Sequence, residues 1–478
     1  MQFRVFIFLA FLFSAVSCTE DFSEINTNPN APVDIQPAFL LRQVIFDYGE
    51  QMSFEGFVAG SLLGQYFTAV DFNLFDRHSL LEPQFGGNPW DLLYTNLRDN
   101  EIILDKSKEN EAFAIYEGPA LVMKAYIASA ITDIYGDVPF SDAVSGKAGI
   151  ISPTYDDQED IYTGEQGLLK LLDEAIGSIN NYEGAASLEG DILFQGDLDA
   201  WVRFANSLKI KLLMRISDVS SITTSIQSVY DTGRYIKTVD QNATYNFTDG
   251  QPNNFRMATA RTGDFNIYVM SKTVEEVLVN YQDPRIATFF RPTANDDTNF
   301  AGLLNGPDAS QTSITVGDYS FAGTVFREST GRLDANFLTS FETLFLLAEA
   351  AERGFIFANA KELYEEGVRQ AFEYWQTEMP ADYLTDGPAA YDNDDKIKQI
   401  ITQKWLANIV NGYEGWIEYR RTGFPELKIV AASLNNNEIP VRMPYPQAEA
   451  ALNNVNYQNA ADRVNNNSIN ARVWWDKE

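Results

Sequence analysis

The chain has 478 residues, 45% hydrophobic and 13% aromatic, which is enough apolar material for a large buried core. Its 67 acidic side chains outnumber 35 basic ones for a formal charge of −32, a surface that repels nucleic acid and anionic lipid and favours neutral ligands over strongly anionic polysaccharides. One cysteine excludes an intrachain disulfide, one histidine excludes a His-x-x-x-His zinc site, and neither a Gly-x-Ser-x-Gly elbow nor a Gly-x-x-x-x-Gly-Lys phosphate loop occurs.

That cysteine, Cys18, follows an apolar run from Val5 to Val16 with Arg4 before it, too short to span a bilayer and suited to a signal peptide. Ala15 and Ser17 are small, so the segment resembles a bacterial lipoprotein signal over residues 1–17, with acylation of Cys18 and anchoring in membrane lipid; Ala15 stands where leucine is commonest. An ordinary secretory signal with an incidental cysteine is the alternative. Loss of Arg4 with the signal would take the charge from −32 to −33. Residues 18–37 are polar and turn-rich, through Asn26-Thr27-Asn28-Pro29-Asn30, and read as a tether, leaving 38–478 as one domain. Glu20 and Asp21 look like the acidic signal that sends such lipoproteins to the cell surface.

From Ala38 helical periodicity dominates. The spacing predicts helices over 38–52, 54–68, 90–106 and 111–135, the last stopped by Gly136 and Pro139. Trp201, Phe204, Ala205, Leu208 and Leu212 share one face of a helix over 199–217, and further helices are predicted over 337–353, 358–375 and 396–411. Between them, 71–89, 136–163, 233–266 and 286–335 are too long for plain connections and are candidates for function or capping. Ala348, Ala360, Tyr364 and Gly367 occupy the small, small, aromatic and small positions of one tetratricopeptide-like helix pair. Trp474 and Trp475 read as a staple for the C-terminus.

Several motifs together carry a resemblance. Thr27-Asn28-Pro29-Asn30 behind the cysteine, Ile134-Tyr135-Gly136-Asp137-Val138-Pro139-Phe140, Phe204-Ala205-Asn206-Ser207-Leu208-Lys209 and Ala348-Glu349-Ala350-Ala351-Glu352-Arg353-Gly354 come first. Gln403-Lys404-Trp405-Leu406-Ala407, the run from Glu414 through Arg420-Arg421-Thr422-Gly423 to Pro425, Arg442-Met443-Pro444-Tyr445-Pro446 and Val473-Trp474-Trp475-Asp476 follow in order. The chain thereby resembles the SusD/RagB family of outer-membrane nutrient-binding lipoproteins. The resemblance implies an all-α-dominated fold of tetratricopeptide-like helix pairs with long irregular loops on one side. It also implies glycan capture without chemistry, and delivery to a partner SusC-like TonB-dependent transporter. The RagB side of the family implies peptide capture as the alternative cargo, and a surface scaffold without cargo is a third reading.

Sugar rings stack their C–H faces on aromatics and pair their hydroxyls with Asp, Asn and Arg. The stretch 71–89 concentrates these types in Asp71, Phe72, Asn73, Phe75, Asp76, Arg77, His78, Phe85 and Asn88, with Trp90 at the next helix start. The second candidate, 286–327, offers Phe289, Phe290, Arg291, Asn299, Phe300, Tyr319 and Phe321. The competing reading is that such aromatics pin loops to the helical body. Any Ser-His-Asp triad would have to use His78, and a glycosidase carboxylate pair cannot be read from composition in so acidic a chain. No cofactor is expected. Asp296-Asp297 and Asp392-Asn393-Asp394-Asp395 lack EF-hand spacing and read as solvated turns, with structural calcium the alternative.

Overall fold

The computed structural model describes residues 35–80, 85–308, 310, 313–391 and 395–477. The signal segment, Cys18, most of the tether and Asp392-Asn393-Asp394 lie outside the described residues.

Helix α1 (Pro37–Glu55) starts on a proline at its first turn and buries Leu40, Leu41, Val44, Ile45, Tyr48 and Met52 along one stripe. The expected break between 52 and 54 does not occur. The helix runs on through a wide π turn, Gly56–Gly60, into Ser61–Leu63, and the expected 54–68 helix gives way to a turn over 64–66 and strand β1 (Phe67–Ala69). Gly56 and Gly60 face the 410–412 backbone, where a Cβ would lie 2.3 Å from Val410 O or 1.9 Å from Gly412 O. That approach selects the wider turn.

The body is a succession of packed helices. α2 (Trp90–Glu109) lies against α1 and α3 (Glu117–Tyr135), α3 against α4 (Leu168–Asn180), and α4 against α5 (Leu198–Arg215). α6 (Ser340–Glu352) packs on α5, on α7 (Ala360–Tyr374) and on α8 (Lys396–Ala407), which leads to α9 (Glu414–Thr422). In the tetratricopeptide-like pair α6–α7, Gly367 lies beneath the Phe345 ring, Ala348 is buried, and buried Tyr364 donates to Ala389 O at 2.8 Å. α3 begins later than expected because Glu111–Tyr116 is a 3₁₀ turn, and it ends at Gly136, φ +85. The expected helix over 337–353 is preempted by a strand up to Leu338, after which Thr339 caps α6 by accepting from Glu342 N–H.

Two small antiparallel ladders tie the irregular stretches to this body. β1 pairs with β3 (Tyr268–Met270), Phe67 opposite Met270, and β2 (Ala243–Asn246) pairs with β4 (Asp334–Leu338). The stretch 71–80 and residues 85–89 hold no regular helix or strand. Asp296 closes a turn by accepting from Thr298 N–H at 2.9 Å, and Asp395 caps α8 by accepting from Lys398 N–H at 3.0 Å.

At the helix junction sits a buried ionic cluster. Lys211 and Arg215 of α5 each reach Glu414 at 2.9 Å, Lys404 of α8 reaches Glu418 at 2.5 Å, and Arg421 reaches Glu349 at 2.7 Å. Arg420 lies between Trp416 and Trp475, 4.3 and 4.6 Å from the ring centres, and Trp475 donates its indole N–H to Asp133 at 3.0 Å. Trp475 is thus a staple for the C-terminus, and Arg420 and Arg421, at the end of α9, are both buried in this junction.

Candidate functional site

The loop after β1 is held from below by Asp76. Its buried carboxylate accepts from Thr68 Oγ1 (2.7 Å), Ala69 N–H (3.1 Å), Asn305 Nδ2 (2.7 Å) and Gly306 N–H (2.7 Å). Burial raises its pKa, and those four donors oppose the shift. Asn73 donates to Pro307 O at 2.6 Å and Arg77 Nε to Ala432 O at 2.8 Å, with Asp308 beside the guanidinium. His78 is buried, with Nδ1 3.2 Å from Glu438 O, and burial pulls its pKa down to about 4.

The other side is a strap, Phe85–Asn88. Glu55, buried at the π turn, accepts both Gly87 N–H (2.7 Å) and Tyr413 O–H (2.6 Å) on one oxygen. Gly86 and Gly87 have φ near +85; a Cβ would meet Val58 at 2.2 Å in one and the Phe75 ring at 2.6 Å in the other. Only glycine lets the strap lie so close. The Phe85 ring meets Phe54 edge-on at 5.1 Å.

Loop and strap enclose a cleft of about 320 Å³. Phe72, Phe75 and Phe85 wall it; buried Val58, Leu62, Ala69 and Tyr268 form its floor with Ile267; Arg261 and Asp264 stand at its exposed rim. Phe72 is 74% exposed and holds φ +48, its N–H accepted by the Asp71 carboxylate at 2.8 Å. A bulky aromatic there is a backbone outlier, the kind that clusters at ligand sites. Below the floor, Phe57 stacks on Phe265 at 5.4 Å and meets Tyr268 edge-on at 5.3 Å, so the cleft rests on a fixed aromatic layer. Arg261 grips Asp264 with two bonds of 2.9 and 3.1 Å, and both groups face solvent, where a ligand can exchange for one of them.

Of the residues singled out in the sequence, the structure brings Phe72, Phe75 and Phe85 together, with Asp71, Asn73 and Arg77 on the same loop. Five others are corrected on burial. Asp76 and His78 are spent inside the loop. Trp90 is buried against Tyr94 and Tyr135, at 4.8 and 4.9 Å, as the lid of a helix junction. Phe290 is buried on Phe67 at 5.2 Å, as is Phe289 against Trp375 at 4.9 Å. Arg291 pairs with Glu328 and donates to Ala322 O at 3.1 Å; it, Asn299, Phe300, Tyr319 and Phe321 lie apart from the cleft lining. The sequence reading missed Arg261 and Asp264, whose i, i+3 charge pair in an irregular stretch was the available signal, and the apolar floor, of which only Val58 and Leu62 lay in an expected helix, 54–68.

Among the described residues no group of three or more His, Cys, Asp or Glu is placed to hold a metal ion, and no helix is long and apolar enough to cross a membrane. A family model named SusD-like and described as "starch-binding associating with outer membrane" matches residues 29–446. Among solved structures, a chitin-binding protein superposes with TM-score 0.80 at 24% identity, covering 93% of this chain and 100% of its own. A SusD homologue from Bacteroides fragilis gives the same score, identity and coverages of 93% and 100%. A chitin-binding SusD homologue from Flavobacterium johnsoniae gives 0.76 at 24%, covering 92% and 98%. These structures share the helix-rich fold. No curated protein matches the chain.

Proposed function

The chain belongs to the SusD-like family of outer-membrane-associated proteins, and on that premise we propose that it captures a neutral oligosaccharide in the cleft between loop and strap and passes it to a partner SusC-like TonB-dependent transporter. It works at the cell surface, anchored in outer-membrane lipid through acylated Cys18, and binds without catalysis or cofactor. The observation that carries this reading is the trio Phe72, Phe75 and Phe85 around one cleft, two of them exposed and one held at a strained backbone angle. Aromatic faces gathered around one cleft suit the C–H faces of sugar rings, and the Arg261–Asp264 rim supplies donors and acceptors for hydroxyls. The apolar floor favours a ring bearing a small apolar substituent, such as the acetamido methyl of a chitin-type sugar, the ligand class named for two of the structural neighbours. That same floor supports a second reading, capture of a peptide through an apolar side chain.

Native affinity electrophoresis through gels containing starch, glycol chitin or an anionic polysaccharide tests the proposal. Retardation by a neutral glycan, lost on Phe72→Ala or Phe85→Ala, is the expected result. Retardation by none of them, with calorimetric heat from mixed peptides, would transfer the cleft to peptide import.

A further inference from the structure

The first cleft meets the strap at Phe85 and Gly86, and one residue further on, at Gly87 and Asn88, the strap borders a second opening of about 430 Å³. Its size falls in the range of small-ligand sites, and its lining is of a different kind. Where the first cleft is floored by apolar side chains, the second gathers Asn88, Asp91, Gln447, Asn466 and Asn467 beside Tyr445 and Tyr457, with Leu80, two prolines and Ala448 filling the rest of its lining.

One wall is a left-handed turn. Asn465, Asn466 and Asn467 have φ of +54, +58 and +61 in succession, a conformation that L-residues usually adopt singly. Asn467 holds the turn in place: its Oδ1 accepts from Arg442 Nη1 (3.0 Å) and Tyr445 N–H (2.8 Å), and its Nδ2 donates to Tyr445 O (3.0 Å). Arg442 is itself buried and donates to Tyr135 O at 3.2 Å, so the wall is tied to the end of α3. Asn467 is therefore fully used by the fold. Asn466, one residue earlier and exposed, has no side-chain partner among the described residues, and the same holds for Gln447 and Asp91. Asn88 uses its Oδ1 to accept from Tyr135 O–H at 2.8 Å, which leaves its Nδ2 donors free among the described residues.

The unspent groups are thus amide donors and acceptors from Asn466 and Gln447, amide donors from Asn88 and carboxylate acceptors from Asp91. Vicinal hydroxyls, each a donor and an acceptor, are the ligand groups that match such a set. Half-buried Tyr457 offers a ring flank beside them. The one ionised group in the lining is Asp91, in a chain of formal charge −32, which argues against an anionic ligand.

We propose that this opening is a second saccharide subsite, taking one hydroxyl-rich ring of the same neutral glycan that occupies the aromatic cleft; it rests on the glycan reading above. Two contact points on one polymer raise the effective affinity for long chains over short ones.

The test uses the full chain in detergent, titrated calorimetrically with the disaccharides and the heptamer or hexamer of the starch and chitin series, maltoheptaose and chitohexaose. Asn466→Gly keeps the positive φ, and Gln447→Ala alters an exposed first helical turn, so the double variant should melt with the parent. It is expected to bind the long oligomer about tenfold more weakly, the loss of roughly one good polar contact, while disaccharide binding, which Phe72→Ala removes, stays unchanged. A double variant that binds the long oligomer as the parent does overturns the second subsite and leaves the first standing. A parent that binds no member of either series overturns both.

Discussion

Phe72 keeps a backbone conformation that costs a non-glycine residue on the order of 1–3 kcal/mol, and its ring gains almost no burial in return. Strain without packing is the mark of a side chain held out for something else. Phe72→Gly should therefore leave unfolding free energy unchanged or raise it by up to about 1 kcal/mol, while abolishing glycan retardation; a denaturant titration beside the affinity gel reads both. His78 makes the opposite trade. Burial holds its folded pKa near 4, against 6.5 in the unfolded chain, so the unfolded state takes up its proton first as pH falls. Its contribution is fully present above pH 6.5 and is lost between there and about pH 4, roughly 3 kcal/mol in all. His78→Asn, which tolerates the residue's φ of +66, should flatten that part of the stability profile. Because the chain has one histidine, its single imidazole resonance also reports the folded value directly.

At the scale of elements, the cleft is made by a strap and a loop that have no regular structure of their own. The strap depends on Glu55, whose pKa burial raises despite the Gly87 and Tyr413 bonds that oppose the shift. Glu55→Ala leaves a buried amide and phenol without acceptors, a loss of about 1–3 kcal/mol. Amide exchange at Gly87 should accelerate on the order of ten- to a hundredfold, with the distant α6–α7 pair unaffected. The helices were the legible elements. Trp201 through Leu212 marked α5, and Gly136 with Pro139 marked the end of α3. α4 went unread although Leu168, Leu171, Leu172, Ala175 and Ile179 carry the helical spacing. The π turn after α1, which the sequence did not signal, has a tertiary cause, the close 410–412 backbone facing Gly56 and Gly60.

Across the whole molecule, α5, α6, α8 and α9 meet on charges. Burial pushes the Glu414 carboxyl up, but Arg215, Lys211 and Lys404 outweigh it and hold it well below the usual range; Arg421 and Lys404 do the same for Glu418. Carboxylates lowered in this way contribute stability above about pH 4.5 and lose it as pH falls toward their folded values. Glu418→Ala removes one of the carboxylates shared by Lys404 and Arg421, which keep Glu414 and Glu349 in this buried junction, and should cost about 3 kcal/mol in a urea titration. Composition and periodicity by themselves determined that the chain is helix-rich, strongly acidic and without disulfides, and its motifs pointed to the family, because amphipathic spacing and helix stops are local properties written residue by residue. Which aromatics stay exposed beside the cleft was decided only in three dimensions. Phe72 and Phe290 are the same residue type in similar irregular stretches, yet one is 74% exposed and the other 1%. Burial depends on what another part of the chain lays over a side chain: Phe67 lies against Phe290, whereas Phe72 is turned outward by its own backbone.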